Sequence, residues 1–276
     1  MILITVDHDK CERDGICVAE CPMGIIKMEK PDGFPSLTIH GESLCINCGH
    51  CVAVCPHGAI GLETMGPEKC DAVRKELLPT PEQVALFLRS RRSVRCYSEK
   101  PVPREILVRL LDSARYAPSA HNDQPVHWIV FEDKREVKNL ASMTVDWMRF
   151  ILKEMPEMAD VDVAIMKEFV KSWEQGEDPI LRGAPHLIIG HVNQSTLMAS
   201  ENCTIALTYL ELAAYSMGLG ACWAGAFQMA ALSSPPIMEA LQLPEGHRCY
   251  GAMMVGYPKH KFPLIPLRND LRVAWR

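Results

Sequence analysis

The 276-residue sequence has no excess of positive charge: 29 Lys and Arg stand against 34 Asp and Glu, a formal net charge of −5. A phosphate backbone therefore meets no global attractive field, which argues against nucleic acid as a partner. Long uncharged apolar runs are missing too. The most apolar later stretch, Ile205 to Cys222, carries Glu211 and is too short and interrupted to span a bilayer, which takes about 20 apolar residues. The opening residues, Met1 to Asp7, have neither the basic nor the apolar region of a secretory signal. These absences point to a cytoplasmic protein with no membrane partner. A convincing Gly-x-Gly-x-x-Gly fingerprint is also lacking, so the chain does not declare a nicotinamide nucleotide as its electron source. The composition, 48% apolar and 23% charged, is that of an ordinary folded chain. The length suits one small module plus one domain with a sizeable core.

Cysteine, by contrast, is plentiful. Seven of the twelve fall between Cys11 and Cys55, spaced as metal ligands rather than as a disulfide framework. Cys45-x2-Cys48-x2-Cys51-x3-Cys55-Pro56 matches the bacterial-type iron–sulfur run, whose fourth cysteine reaches the other cluster of a pair. An upstream copy reads Cys11, Cys17 and Cys21-Pro22, with Asp14 where a further cysteine is expected. By the crossing rule Cys45, Cys48 and Cys51 share one cluster with Cys21, while Cys11, Asp14 and Cys17 share the other with Cys55. Structural zinc is the competing reading, because paired CxxC elements also bind it tetrahedrally, but the repeated spacing closed by proline favours iron and sulfur. Asp14 leaves three readings open: a hard oxygen ligand of a [4Fe–4S] cluster, the vacated corner of a [3Fe–4S] cluster, or a turn cap that binds nothing. The remaining cysteines, Cys70, Cys96, Cys203, Cys222 and Cys249, read as small buried apolar residues.

Residues 1–65 form a first unit with short strands expected at Ile2–Ile4 and Ser36–Ile39. Its halves end alike, Cys21-Pro22-Met23-Gly24-Ile25-Ile26 and Cys55-Pro56-His57-Gly58-Ala59-Ile60, which marks an internal repeat. Residues 66–80 read as a linker, and 81–276 as a second unit. Thr80-Pro81-Glu82-Gln83 predicts a capped helix start, Pro103–Tyr116 an amphipathic helix, and His127–Phe131 and Leu187–Gly190 strands. A helix capped by Ser200 is expected to run to Met217 and to end at Gly218, with further strands at Ala221–Ala224 and Tyr250–Gly256. Residues 135–181 are rich in Met and Trp, including Met143, Trp147, Met148, Met155, Met158, Met166 and Trp173. Their pattern suits helical packing, with a substrate-lining lid as the other reading.

Residues 1–65 resemble the two-cluster bacterial ferredoxins, departing from them at Asp14. Four later segments, in order, resemble the FMN-dependent nitroreductase family across residues 81–276: Arg91-Arg92-Ser93-Val94-Arg95, Pro118-Ser119-Ala120-His121-Asn122-Asp123-Gln124-Pro125, Gly218-Leu219-Gly220-Ala221-Cys222-Trp223, and Val255-Gly256-Tyr257-Pro258-Lys259. Together the two resemblances describe the ferredoxin-fused branch of that family. They imply an α+β protein, a two-cluster ferredoxin-like module joined to an α/β sandwich with a mostly antiparallel central sheet. They also imply a homodimer with FMN at the subunit interface. On the family pattern Arg91, Arg92, Ser93 and Arg95 hold the flavin phosphate, ribityl chain and pyrimidine edge, joined at the phosphate by Arg268. Pro118, Ser119, Ala120, Asn122 and Gln124 line the isoalloxazine, the last two from the partner subunit, and Trp223, Ala224, Gly225 and Ala226 surround its reactive edge. Lys259 and Lys261 are weaker candidates.

The expected activity is reduction of a small planar electrophile, nitroaromatic by resemblance, with electrons passed singly from the clusters to FMN and no side-chain nucleophile. The external donor is a ferredoxin or a nicotinamide nucleotide. The same fold also serves other chemistries, so quinones, activated alkenes and halogenated aromatics stay open as substrates. A non-catalytic electron carrier or redox sensor is the alternative of another class.

Overall fold

A computed structural model describes residues 3–30, 32–154 and 160–276. Chain contacts divide it into two compact units, Met1–Pro79 with His121–Asp123, and Thr80–Ala120 with Gln124–Arg276.

The first unit holds strands β1 (Ile4–Val6), β2 (Ile26–Met28), β3 (Pro35–Leu37) and β4 (Ile60–Leu62), and short helices α1 (Ile16–Ala19), α2 (Gly41–Leu44) and α3 (His50–Val54). β1 pairs antiparallel with β4 and β2 with β3, so the ends of the two halves are each tied into a hairpin-like pair. Two expectations shift here. The first strand begins at Ile4 rather than Ile2, which lies outside the described residues, and β3 runs from Pro35 to Leu37, where Ile39 is almost fully exposed. Cys17 and Cys51 join Ile25, Ile26, Val52, Ile60 and Leu62 in one small core. The halves repeat in backbone as well as in sequence. Arg13 and Asn47, Gly15 and Gly49, and Gly24 and Gly58 are three pairs of left-handed residues, each pair 34 residues apart.

In the second unit α4 (Pro81–Ser90) starts at Thr80, whose side chain accepts from Gln83 N while Gln83 Oε1 accepts from Thr80 N, a complete capping box. It is followed by α5 (Arg104–Ala114), β5 (His127–Phe131), α6 (Lys134–Glu154), α7 (Asp160–Glu174) and β6 (His186–Asn193). Then come α8 (Ala199–Ser216), β7 (Gly220–Trp223), α9 (Gly225–Ser233), α10 (Pro235–Leu241) and β8 (His247–Gly256). The strands form one sheet in the order β5-β6-β8-β7, antiparallel at every pairing.

Alternation along β6 explains the layering. Leu187 and Ile189 enter a core with residues of α6, α9 and α10, whereas Ile188 and Val192 enter a second core with residues of α5 and α8. Helices therefore cover both faces of an antiparallel sheet. Gly190 and Gly251 lie opposite each other across β6 and β8. A Cβ on Gly190 would stand 2.6 Å from Cys203 Sγ, and one on Gly251 would strike Leu207, so the pair makes the smooth floor on which α8 rests.

Some expectations are corrected. α8 opens with Met198 as N-cap in the left-handed region and no side-chain cap, so Ser200 lies inside the first turn. Gly218, at φ +72°, ends the helix as expected. Helices α9 and α10 were not anticipated. Cys203, Cys222 and Cys249 are buried, but Cys70 and Cys96 are exposed and are not core residues. Met148 and Met166 are buried, and Met143, Trp147 and Trp173 pack against the same core. Met155 and Met158 lie outside the described residues.

Candidate functional site

In the first unit the repeated left-handed residues turn the chain sharply at each cysteine run, and in the second half backbone N–H groups are directed at sulfur. Asn47 N donates to Cys45 Sγ at 3.4 Å and Ala59 N to Cys55 Sγ at 3.3 Å. Cys21, Cys45, Cys48 and Cys51 line one small cavity. Around Cys17 the neighbouring negative groups are Cys55, Asp14 and Cys11, which raise its thiol pKa together with burial, the larger cause. Burial likewise pushes Cys51 up to about 11, with Cys48, Cys17 and Cys21 adding to it. Cys21 of the first half thus lies with Cys45, Cys48 and Cys51 of the second, and Cys55 of the second lies near Cys17, which also stands near Cys51. Their chemistry fits iron–sulfur clusters: soft sulfur donors, partly buried, with N–H groups directed at sulfur. Among the described residues, no three His, Cys, Asp or Glu side chains converge on a single ion. Asp14 Oδ1 also accepts from Ile16 N at 3.1 Å, which caps the turn before α1.

In the second unit the chain after α4 is stitched to the sheet. Val94 N donates to Ala221 O, Ser98 N to Tyr257 O, and Lys259 N to Cys96 O, which fixes the arginine-serine segment between β7 and the end of β8. Arg91 and Arg92 there line a cavity of about 250 Å³ with Glu211, Tyr215, Leu219, His260 and Lys261. Its cationic lining suits an anionic group such as a phosphate. Arg91 Nη1 stands 2.7 Å from Glu211 Oε1, so this guanidinium is already half-committed. Burial raises the Glu211 pKa while Arg91 opposes that rise. Arg92 and Lys261 have no such carboxylate partner among the described residues.

Pro118, Ser119 and Gln124 line a second, smaller cavity with Trp128 and Asn202. Ser119 Oγ accepts from Gln124 N at 2.9 Å, and Asn202 Oδ1 accepts from Ala120 N at 2.9 Å. His121, Asn122 and Gln124 all have positive φ, a concentration of backbone strain of the kind found in functional loops. Trp223 closes β7, Ala224 is the N-cap residue of α9, and Gly225 and Ala226 form its first turn. Arg268 lies in the exposed C-terminal coil and lines neither cavity. One chain thus brings Arg91 and Arg92 together, and Pro118, Ser119 and Gln124 together, but in separate places. Glu211 and Asn202 escaped sequence reasoning, since each acts through a partner 120 or 82 positions away.

The nitroreductase family model matches residues 88–257. The chain belongs to the nitroreductase family. A second model, that of a 4Fe-4S dicluster domain, matches residues 7–59 of this nitroreductase-family chain. Over 201 residues it is 29% identical to an NADH dehydrogenase of Thermus thermophilus, covering 67% of this chain and 92% of that one. Over 194 residues it is 26% identical to an iodotyrosine deiodinase of Thermotoga neapolitana, covering 68% and 94%. A Bacteroides fragilis nitroreductase with bound FMN has the same fold, with a TM-score of 0.54 at 24% identity over 70% of this chain and 95% of that one. Among the described residues no helix is long and apolar enough to cross a membrane.

Proposed function

We propose that this nitroreductase-family chain is an FMN-dependent oxidoreductase fed through two iron–sulfur clusters and acting on a small planar electrophile, nitroaromatic in type. The observation that carries the reading is the union in one chain of a dicluster match at 7–59 and a nitroreductase match at 88–257. When bound, the clusters supply one-electron and FMN one- or two-electron chemistry. The protein's own side chains bind, orient and insulate. Cys21, Cys45, Cys48 and Cys51 would hold one cluster, and Cys11, Asp14, Cys17 and Cys55 the other. Arg92, with Ser93, Arg95 and the partly committed Arg91, would meet the FMN phosphate and ribityl chain. The turn built on Ser119 and Asn202 would present Pro118, Ala120, Asn122 and Gln124 to the ring, and Trp223 to Ala226 would offer backbone groups at its reactive edge. Arg268 would join only from the exposed tail.

We infer a homodimer as the functional form. The Arg91–Arg92 cavity, at about 250 Å³, is smaller than the about 300–1,000 Å³ of small-molecule sites, which supports completion of the site by a second copy. The tail also exposes Phe262, Leu264, Leu267, Leu271 and Trp275, apolar surface that a partner copy would cover. The deiodinase relative keeps halogenated aromatics as the second substrate class.

Anaerobically purified protein is expected to release FMN and, once reduced, to be reoxidised by a nitroaromatic with product formed. Cys48→Ser is expected to cut turnover driven by reduced ferredoxin at least tenfold while photoreduced FMN stays competent. Equal loss in both assays would make the clusters structural, and absence of released flavin would defeat the reading.

A further inference from the structure

Three histidines meet at one end of the central sheet, none of them lining the cavities above. His127 opens β5, His191 lies on β6, and His247 opens β8. His127 pairs directly with His191, and His247 with Asn193, two residues further along β6. Directly opposed residues share a face, as do residues two apart on one strand, so the register alone aims all three imidazoles to the same side. The ring centroids stand 5.5 Å apart for His127 and His191, 5.0 Å for His127 and His247, and 5.1 Å for His191 and His247. This is a nearly equilateral triangle of imidazoles.

His191 Nδ1 and His247 Nδ1 are 3.0 Å apart. Two nitrogens bound at about 2.0–2.1 Å to one tetrahedral zinc ion lie roughly 3.3 Å apart. Opening the pair by a few tenths of an ångström thus makes room for a cation. The set is not closed in the structure as it stands, since no three such side chains converge on one point among the described residues. His127 is exposed at the start of its strand, and a turn of its ring would close the set. Burial, with His247 and His127 nearby, holds the pKa of His191 at about 4, so this imidazole is neutral at ordinary pH.

We propose that His127, His191 and His247 form a three-imidazole site for a borderline divalent cation of the Zn²⁺ type, with water in the fourth position. An all-imidazole set selects such ions over Mg²⁺ or Ca²⁺, which take oxygen ligands. The bound ion clips β5, β6 and β8 together. It does so at the opposite end of β8 from Pro258, which borders the Arg91–Arg92 cavity. His127 adjoins Trp128, which lines the Pro118–Gln124 cavity, but alternation along β5 puts the two side chains on opposite faces of the sheet.

The test uses the full-length holoprotein under anaerobic conditions with Zn²⁺ as the probe. Calorimetry should show one saturable site per chain, and zinc-edge X-ray absorption should show only nitrogen and oxygen neighbours at about 2.0–2.1 Å. His127→Gln, at an exposed position, should weaken binding by at least about tenfold with iron and flavin content unchanged. His247→Gln should do the same. A sulfur shell at about 2.3 Å would assign the zinc to the cysteines and overturn the site. So would absence of saturable binding, or both variants binding as the parent does.

Discussion

A single imidazole, His186, ties backbone order to pH. It is buried, its Nε2 accepts from Val102 N at 2.9 Å, and its Nδ1 has no partner among the described residues. Burial lowers its pKa, so between the usual histidine value and the lower folded one the unfolded chain binds more protons than the folded chain. Stability from this residue is complete above the usual value and is lost as pH falls toward the folded one. Urea midpoints measured at pH 7.5 and pH 5 should fall less steeply for His186→Gln, whose side-chain oxygen still accepts from Val102. His186→Ala should cost about 1–3 kcal/mol at pH 7.5, the cost of an orphaned buried donor. Asp14 poses a second residue-scale question, because its carboxylate caps a turn and also lies near Cys17. Asp14→Cys is expected to shift the potential of one cluster and slow its loss in air, read by protein-film voltammetry and iron release; unchanged spectra would leave Asp14 as a cap alone. The dicluster unit was legible in the sequence because ligand spacing is local. Glu211 and Asn202 were not, because nothing near them in sequence announces a partner so far away.

Among elements, the strands and α4 were the most readable. Thr80 and Gln83 lie three apart, so a capping box is written in four letters, and the alternation on β6 follows directly from burial on both faces. Helices α9 and α10 were invisible for the opposite reason: residues 225–241 are apolar with little periodicity and start with glycine and proline signals usually read as turns. The close seat of α8 on the sheet depends on Gly190, whose pairing with Gly251 no sequence pattern declares. Gly190→Ala is expected to destabilise by about 1–3 kcal/mol through overpacking, measured by denaturant unfolding. Adding Cys203→Ala removes the sulfur 2.6 Å from the new methyl and should recover part of that loss in a double-mutant cycle.

For the whole molecule, the fused organisation could be read from the cysteine runs and the arginine-serine and Pro-Ser-x-x-Asn segments, but the division of the proposed flavin residues between two cavities could not. Removing residues 262–276 is expected to convert the proposed dimer largely to monomer in light scattering and to strip FMN, while iron content stays that of the parent. A truncated protein that remains dimeric and keeps its flavin would refute a role for the tail in either. The 34-residue repeat of the first unit carries a topological consequence. With the ligand sets proposed here, each half lends one cysteine to the centre of the other, so the halves are interlocked like clasped hands. A single chain break between them would leave two fragments still fastened through inorganic bonds, and neither fragment alone would hold a complete cluster.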